Sequence, residues 1–77
     1  MTPEQCQAAR SLLGWTEWDL ALHSGVTVGT VMYFEMGNGR PRRATVSALH
    51  AALEAAGVIF VDENSERPGV RLKKRQP

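Results

Sequence analysis

The sequence holds one cysteine, two histidines and no cluster of carboxylates. A lone cysteine, Cys6, cannot close an internal disulfide, which fits a reducing cytoplasm and makes that the expected location. The same scarcity leaves no metal set, because a structural or catalytic site needs three or four such ligands brought together. No apolar run approaches the roughly 18 residues that span a bilayer, so a membrane segment is excluded. A charged leader followed by an apolar block is missing from the N-terminus, so export is not expected. No nucleophile, base and oxyanion donor stand in any recognisable arrangement, so neither an enzyme nor a cofactor is expected.

Positive charge is also scarce where it would matter most. The net charge is +1, but residues 1–39 carry one cation (Arg10) against four anions (Glu4, Glu17, Asp19, Glu35), a balance of −3. Residues 40–77 carry eight cations against four anions, a balance of +4. A small DNA-binding domain is usually strongly basic, with the charge on its binding face. This chain is only weakly basic overall, and its excess lies in the other half.

What is present is material for one small fold. Seventy-seven residues, 43% apolar and 22% charged, make a single ordinary globular domain near the lower size limit for an unaided core. Thr2, Pro3 and Gln5 form a helix start, with a capping hydroxyl, proline at the first position and a Gln reaching back. Cys6, Ala9, Leu12 and Leu13 follow at helical spacing and Gly14 supplies the stop, predicting a helix over about 3–13. Thr16 caps a second helix over about 17–23, with Glu17 and Asp19 in its first turn, Leu20 and Ala21 inward and Gly25 at its end. Thr27 caps a third helix, about 28–36, with Val31 and Phe34 inward and Val26 beside them; Gly29 weakens it. GNGRPRR reads as a loop. Thr45 is the expected cap of a fourth helix that buries Val46, Leu49, Ala52 and Leu53 and stops at Gly57. VIFV (58–61) and VRL (70–72), separated by the turn-rich DENSERPG, read as a hairpin or a pair of edge strands. KKRQP (73–77) reads as a disordered basic tail. There is no internal repeat.

Trp15 before a capped helix, Leu20-Ala21, Gly25-Val26, Phe34-Glu35 and Arg40-Pro41 together form a pattern. It resembles the Xre/Cro-like helix-turn-helix family of bacterial transcriptional regulators over roughly Thr2 to Leu72. The resemblance implies an all-α helix-turn-helix domain of about four helices (2–57) with a short C-terminal β-like extension (58–72). It implies DNA binding as well, and here the sequence departs from the family. The first residue of helix 2, typically a Gln on a phosphate, is Glu17, which the DNA backbone repels. The positions that read base edges are Val28, Gly29, Met32 and Tyr33. None of these offers the bidentate donor and acceptor geometry that separates base pairs.

The outward positions are apolar instead. Trp18 and Leu22 stand one turn apart on helix 2, off the face buried by Leu20 and Ala21. Val28, Met32 and Met36 form an i, i+4, i+8 line on helix 3 with Tyr33 adjacent. Such a patch marks a binding site, and Trp, Tyr and Met suit a protein interface. The plainer alternative is that some of these side chains belong to the core, Val28 and Met36 above all because helix ends tolerate a shift of phase. Trp15 is expected as a core anchor, Cys6 as a small buried hydrophobe, and His23 and His50 as surface or boundary residues without acidic partners. Lys73, Lys74 and Arg75 are expected to solubilise.

The expected function is therefore binding of a protein partner, a transcriptional activator, by Trp18, Leu22, Val28, Met32, Tyr33 and Met36. The chain would then resemble a degenerate Xre-like antiactivator of the QseM type, with DNA binding weak or absent. The alternative is a DNA-binding repressor using Thr27, Thr30, Tyr33, Arg40, Arg42 and Arg43. A toxin–antitoxin partner is a third class.

Overall fold

The computed structural model describes residues 1–61 and 68–73. Four helices come first: α1 (Pro3–Leu13), α2 (Glu17–Ser24), α3 (Val28–Glu35) and α4 (Arg43–Ala55). Two strands follow, β1 (Val58–Val61) and β2 (Gly69–Leu72). The domain is thus mostly helical, with a small antiparallel sheet on the C-terminal side. No helix among the described residues is long and apolar enough to cross a membrane.

Local chemistry sets the first three helices. The Thr2 hydroxyl accepts from the Gln5 amide at 3.0 Å, and the Gln5 side chain accepts from the Thr2 amide at 2.9 Å. Thr16 and Asp19 repeat this reciprocal cap at 3.1 and 2.8 Å. Each box satisfies two amides that a helix start otherwise leaves unpaired. Gly14 ends α1 with φ 68°, a conformation that costs a residue with a Cβ. The left-handed turn lets the Trp15 amide donate back to the Arg10 carbonyl at 2.9 Å, which folds Trp15 under the helix end.

The cap of helix α4 lies three residues earlier than expected, at Arg42 rather than Thr45. Arg42 occupies the cap position with no side-chain bond, and Thr45 lies inside the first turn. The reason lies in Val46, whose amide donates to the Arg42 carbonyl at 3.1 Å. A start at Thr45 would leave that half-buried amide unpaired, which costs more than a missing cap hydroxyl.

The core consists of Cys6, Ala9, Leu20, Val31, Phe34, Leu49, Leu53 and Val58, with Leu13, Trp15, Ala21, Val26, Val46 and Phe60 packed at its margin. Leu12 does not join it and is 42% exposed. Adjacent helix residues point about 100° apart, so only Leu13 of that pair reaches the interior. Buried Gln5 was not anticipated. Its Nε2 donates to the Gly69 carbonyl at 3.1 Å and ties α1 to the sheet.

The strands pair Val58 with Leu72, Ile59 with Arg71, Phe60 with Val70 and Val61 with Gly69. Lys73 extends the ladder, donating its amide to the Gly57 carbonyl at 2.7 Å, so the basic tail does not begin at that residue. The sheet packs on α1 and α4. The turn expected over 62–67 and the tail over 74–77 lie outside the described residues.

Candidate protein-binding surface

Inward residues fix what α2 and α3 show to solvent. Leu20 is fully buried, which turns Trp18 and Leu22 outward to 68% and 81% exposure. Val31, Phe34 and Glu35 are buried on α3, so Gly29, Met32 and Tyr33 face out. Val28 is half-buried rather than free, and Met36, the residue that closes α3, is exposed. Of the six apolar candidates, five are exposed and one lies at the boundary.

The candidates fall into three depressions. Trp18, Leu22 and Val28 line a shallow apolar groove of about 430 Å³, floored by Ala21 and Val26. Met32 and Met36 border a second hollow of about 440 Å³ with Gln7, Arg10, Glu17 and Glu35. Tyr33 lines a third, of about 270 Å³, with Thr30, Arg40, Arg42 and Thr45. Trp18, Met32 and Tyr33, expected together in one patch, thus line three separate depressions.

The groups proposed for DNA contact also divide. Thr30, Tyr33, Arg40 and Arg42 share the third cleft, whereas Arg43 begins α4 and is not part of its lining. Thr27 and Thr30 satisfy each other: the Thr27 hydroxyl accepts from the Thr30 amide at 3.3 Å, and the two hydroxyls lie 2.8 Å apart. Tyr33 lies over the loop. A Cβ built on Gly39 would stand 2.8 Å from the ring carbon Cε1 and 2.9 Å from the hydroxyl oxygen. Only glycine admits the ring so close.

One polar cluster escaped the sequence reading. Arg10 donates from Nε to Glu35 Oε2 at 2.6 Å and from Nη2 to Oε1 at 2.7 Å. Its Nη1 donates to the Trp15 carbonyl at 3.1 Å. The Cys6 thiol donates to Glu35 Oε2 at 3.1 Å, and Gln7 donates to the Glu35 backbone carbonyl at 2.8 Å. The bonds to Glu35 raise the already high pKa of Arg10, so it stays charged. Burial, and then the Glu35 carboxylate, push the Cys6 thiol well above its ordinary value. The available signals were Arg10 as the lone cation of an acidic half and Glu35 in helical phase with Val31.

The cluster has an electrostatic consequence for the surface. The one Lys or Arg among residues 1–39 is locked to Glu35, leaving Glu4, Glu17 and Asp19 as the remaining charged side chains of that half apart from its histidine. His23 stacks flat on Trp15, centroids 4.2 Å apart and planes 8° from parallel. His50 stacks on Phe60 and does have an acidic partner, its Nδ1 lying 2.9 Å from Glu54 Oε1 one turn on. That i, i+4 spacing was visible in the sequence.

No protein-family model matches this chain, and no curated protein matches it.

Proposed function

We propose that this protein is a bacterial regulator of transcription that works by binding another protein, a transcriptional activator, and masking it. The reading takes α2 and α3 as the paired helices of a degenerate Xre/Cro-like helix-turn-helix, acting in the cytoplasm as an antiactivator. One observation carries it. Trp18 and Leu22, large apolar side chains at 68% and 81% exposure, stand outward beside a groove with an apolar floor. A monomer gains nothing from exposing them, and such patches ordinarily meet a partner. The surrounding charge supports the same reading, since Glu17 and Asp19 in the first turn of α2 repel phosphate.

A second reading has one observation in its favour. Thr30, Tyr33, Arg40 and Arg42 line a common cleft, as contacts of a DNA-binding repressor would. Against it, the two threonine hydroxyls are already paired with each other, and the side chains there that can make bidentate contacts, Arg40 and Arg42, stand in the loop and at the cap of α4 rather than on α3.

The test is affinity capture from host cells with the wild-type chain and with Trp18→Ala and Leu22→Ala, beside gel-shift measurements on the DNA upstream of its own gene. The expected result is an activator captured by the wild type and lost from both variants. Nanomolar, sequence-selective DNA binding at about physiological salt would overturn the proposal in favour of the repressor.

A further inference from the structure

Gly29 has no role in the folded monomer. It is the second residue of α3, in the first turn, and glycine is a poorer helix former than alanine. It is not among the glycines with positive φ, so the backbone does not call for it. A Cβ built there meets nothing within 4 Å, so packing does not call for it either. What glycine alone supplies at such a place is a bare helix backbone that another molecule can approach closely. Its position suits that use. At about 100° per residue from buried Val31 and Phe34, Gly29 points away from the core, between Val28 on the groove side and Thr30 on the arginine side.

We infer that this surface seats an amphipathic helix of the partner protein, which lies in the groove of Trp18, Leu22 and Val28 and crosses α3 in direct contact with its backbone at Gly29. The inference deepens the proposal that the surface binds protein and rests on it. A helix is indicated because the surface is made by the sides of two helices, which present side chains and no strand edge for an extended peptide to pair with. The Trp18–Leu22 ridge beside the Gly29 notch is also the relief that helix packing requires, where small contact residues set a short interaxial distance. Charge fixes the chemistry of the incoming helix. Glu17 and Asp19 flank Trp18, and the only Lys or Arg of residues 1–39 is held by Glu35. The helix is therefore apolar toward the groove, basic where it passes the first turn of α2, and without basic residues where it nears Arg40 and Arg42 beyond Gly29.

The probe is a displayed library of random helical peptides of about 16 residues, roughly 24 Å long, selected against the full wild-type chain. Enriched peptides should carry an apolar stripe at i, i+3, i+4 and i+7 with basic residues at one end, the end that meets the first turn of α2. Their amide shift footprint should fall on Trp18, Leu22 and Gly29. Gly29→Ala should leave Tm unchanged or raise it by up to about 4 °C, because a better helix former replaces glycine in the first turn. The same substitution should weaken peptide binding roughly tenfold or more, because a methyl is forced into a packed contact. Loss of binding without loss of stability is a signature that a purely structural glycine does not give. Enrichment of acidic peptides, a footprint away from α3, no enrichment at all, or unchanged binding by Gly29→Ala would each overturn the inference. Capture of a host partner that is not an activator would remove the regulatory reading and leave this one standing.

Discussion

Arg10 and Glu35, twenty-five residues apart, are joined by two parallel bonds of 2.6 and 2.7 Å. Both side chains are withdrawn from water, at 17% and 5% exposure. The pair clamps α1 to the last turn of α3 and so fixes the rotation of α3 about its axis. That rotation decides that Gly29 and Tyr33 face out. A buried pair is costly to break from one side, because the remaining charge keeps its desolvation penalty and loses its partner. Arg10→Met or Glu35→Gln alone should therefore cost ~3–5 kcal/mol in urea unfolding. Replacing both with apolar residues should cost clearly less than the two single changes added together. Additive losses would mean that the two side chains act independently.

The thiol of Cys6 gives a pH dependence with a definite sign. Its folded pKa is raised, by burial first and then by Glu35, so the native state keeps a proton that the unfolded chain releases above about pH 8.5. The unfolded state then binds fewer protons than the native one, and stability falls as pH rises, by up to ~1.4 kcal/mol per unit. Below the ordinary thiol value the contribution is fully present. Between about pH 9 and 10.5 the wild type should lose stability faster than Cys6→Ala, measured by denaturant midpoint at each pH. Parallel curves for the two proteins would remove the effect. The native thiol should also resist alkylating reagents until the domain unfolds, since it is buried and protonated.

Most of the fold is legible in the sequence because its signals are local. The reciprocal caps at Thr2–Gln5 and Thr16–Asp19, and the glycine stop at Gly14, need only residues within a turn of one another. The core positions Leu20, Val31, Phe34, Leu49 and Leu53 follow from helical period alone. The start of α4 did not, because it depends on where the Val46 amide finds a partner rather than on a preferred cap residue. The polar cluster was hidden for a different reason. Pairing Arg10 with Glu35 requires knowing that α1 and α3 pack together, and a single sequence carries no such contact. The candidate surface was legible in its exposure but not in its layout. Trp18 and Leu22 are exposed as their phase requires, while the division of the apolar residues among three facets depends on how α2 meets α3.

Binding to duplex DNA should be weak, steeply salt-dependent and indifferent to sequence. Among the described residues, the cations other than Arg10, namely Arg40, Arg42, Arg43, Arg71 and Lys73, lie in the loop, at the start of α4 and in or just after β2, not on the outward face of α3. Contacts of that kind neutralise phosphates and release counterions without reading bases. Replacing Arg42 and Arg43 together should lower the slope of log affinity against log salt by about 2, equally for all sequences tested. A loss confined to one sequence would point to direct base contact instead.

Trp18 and Tyr33 should separate when each is cut to Ala, although both are exposed aromatics. Trp18 reaches out from α2 with most of its surface in water, so its removal should change stability by no more than about 0.5 kcal/mol. Tyr33 lies against Gly39, whose φ of 71° and missing Cβ let the loop close beneath the ring. Its removal should cost roughly 1 kcal/mol or more, because the loop loses the surface on which it rests. Gly39→Ala should destabilise too, since the added methyl meets both a strained φ and the ring at 2.8 Å. Partner binding reverses the order of consequence. If the groove is the anchor, Trp18→Ala should weaken binding by ~2 kcal/mol or more, roughly thirtyfold, in a protein as stable as wild type. Thermal unfolding and partner affinity measured on the same variants decide the matter. A Trp18→Ala protein that unfolds early would place that side chain in the core, and one that binds normally would place the interface elsewhere.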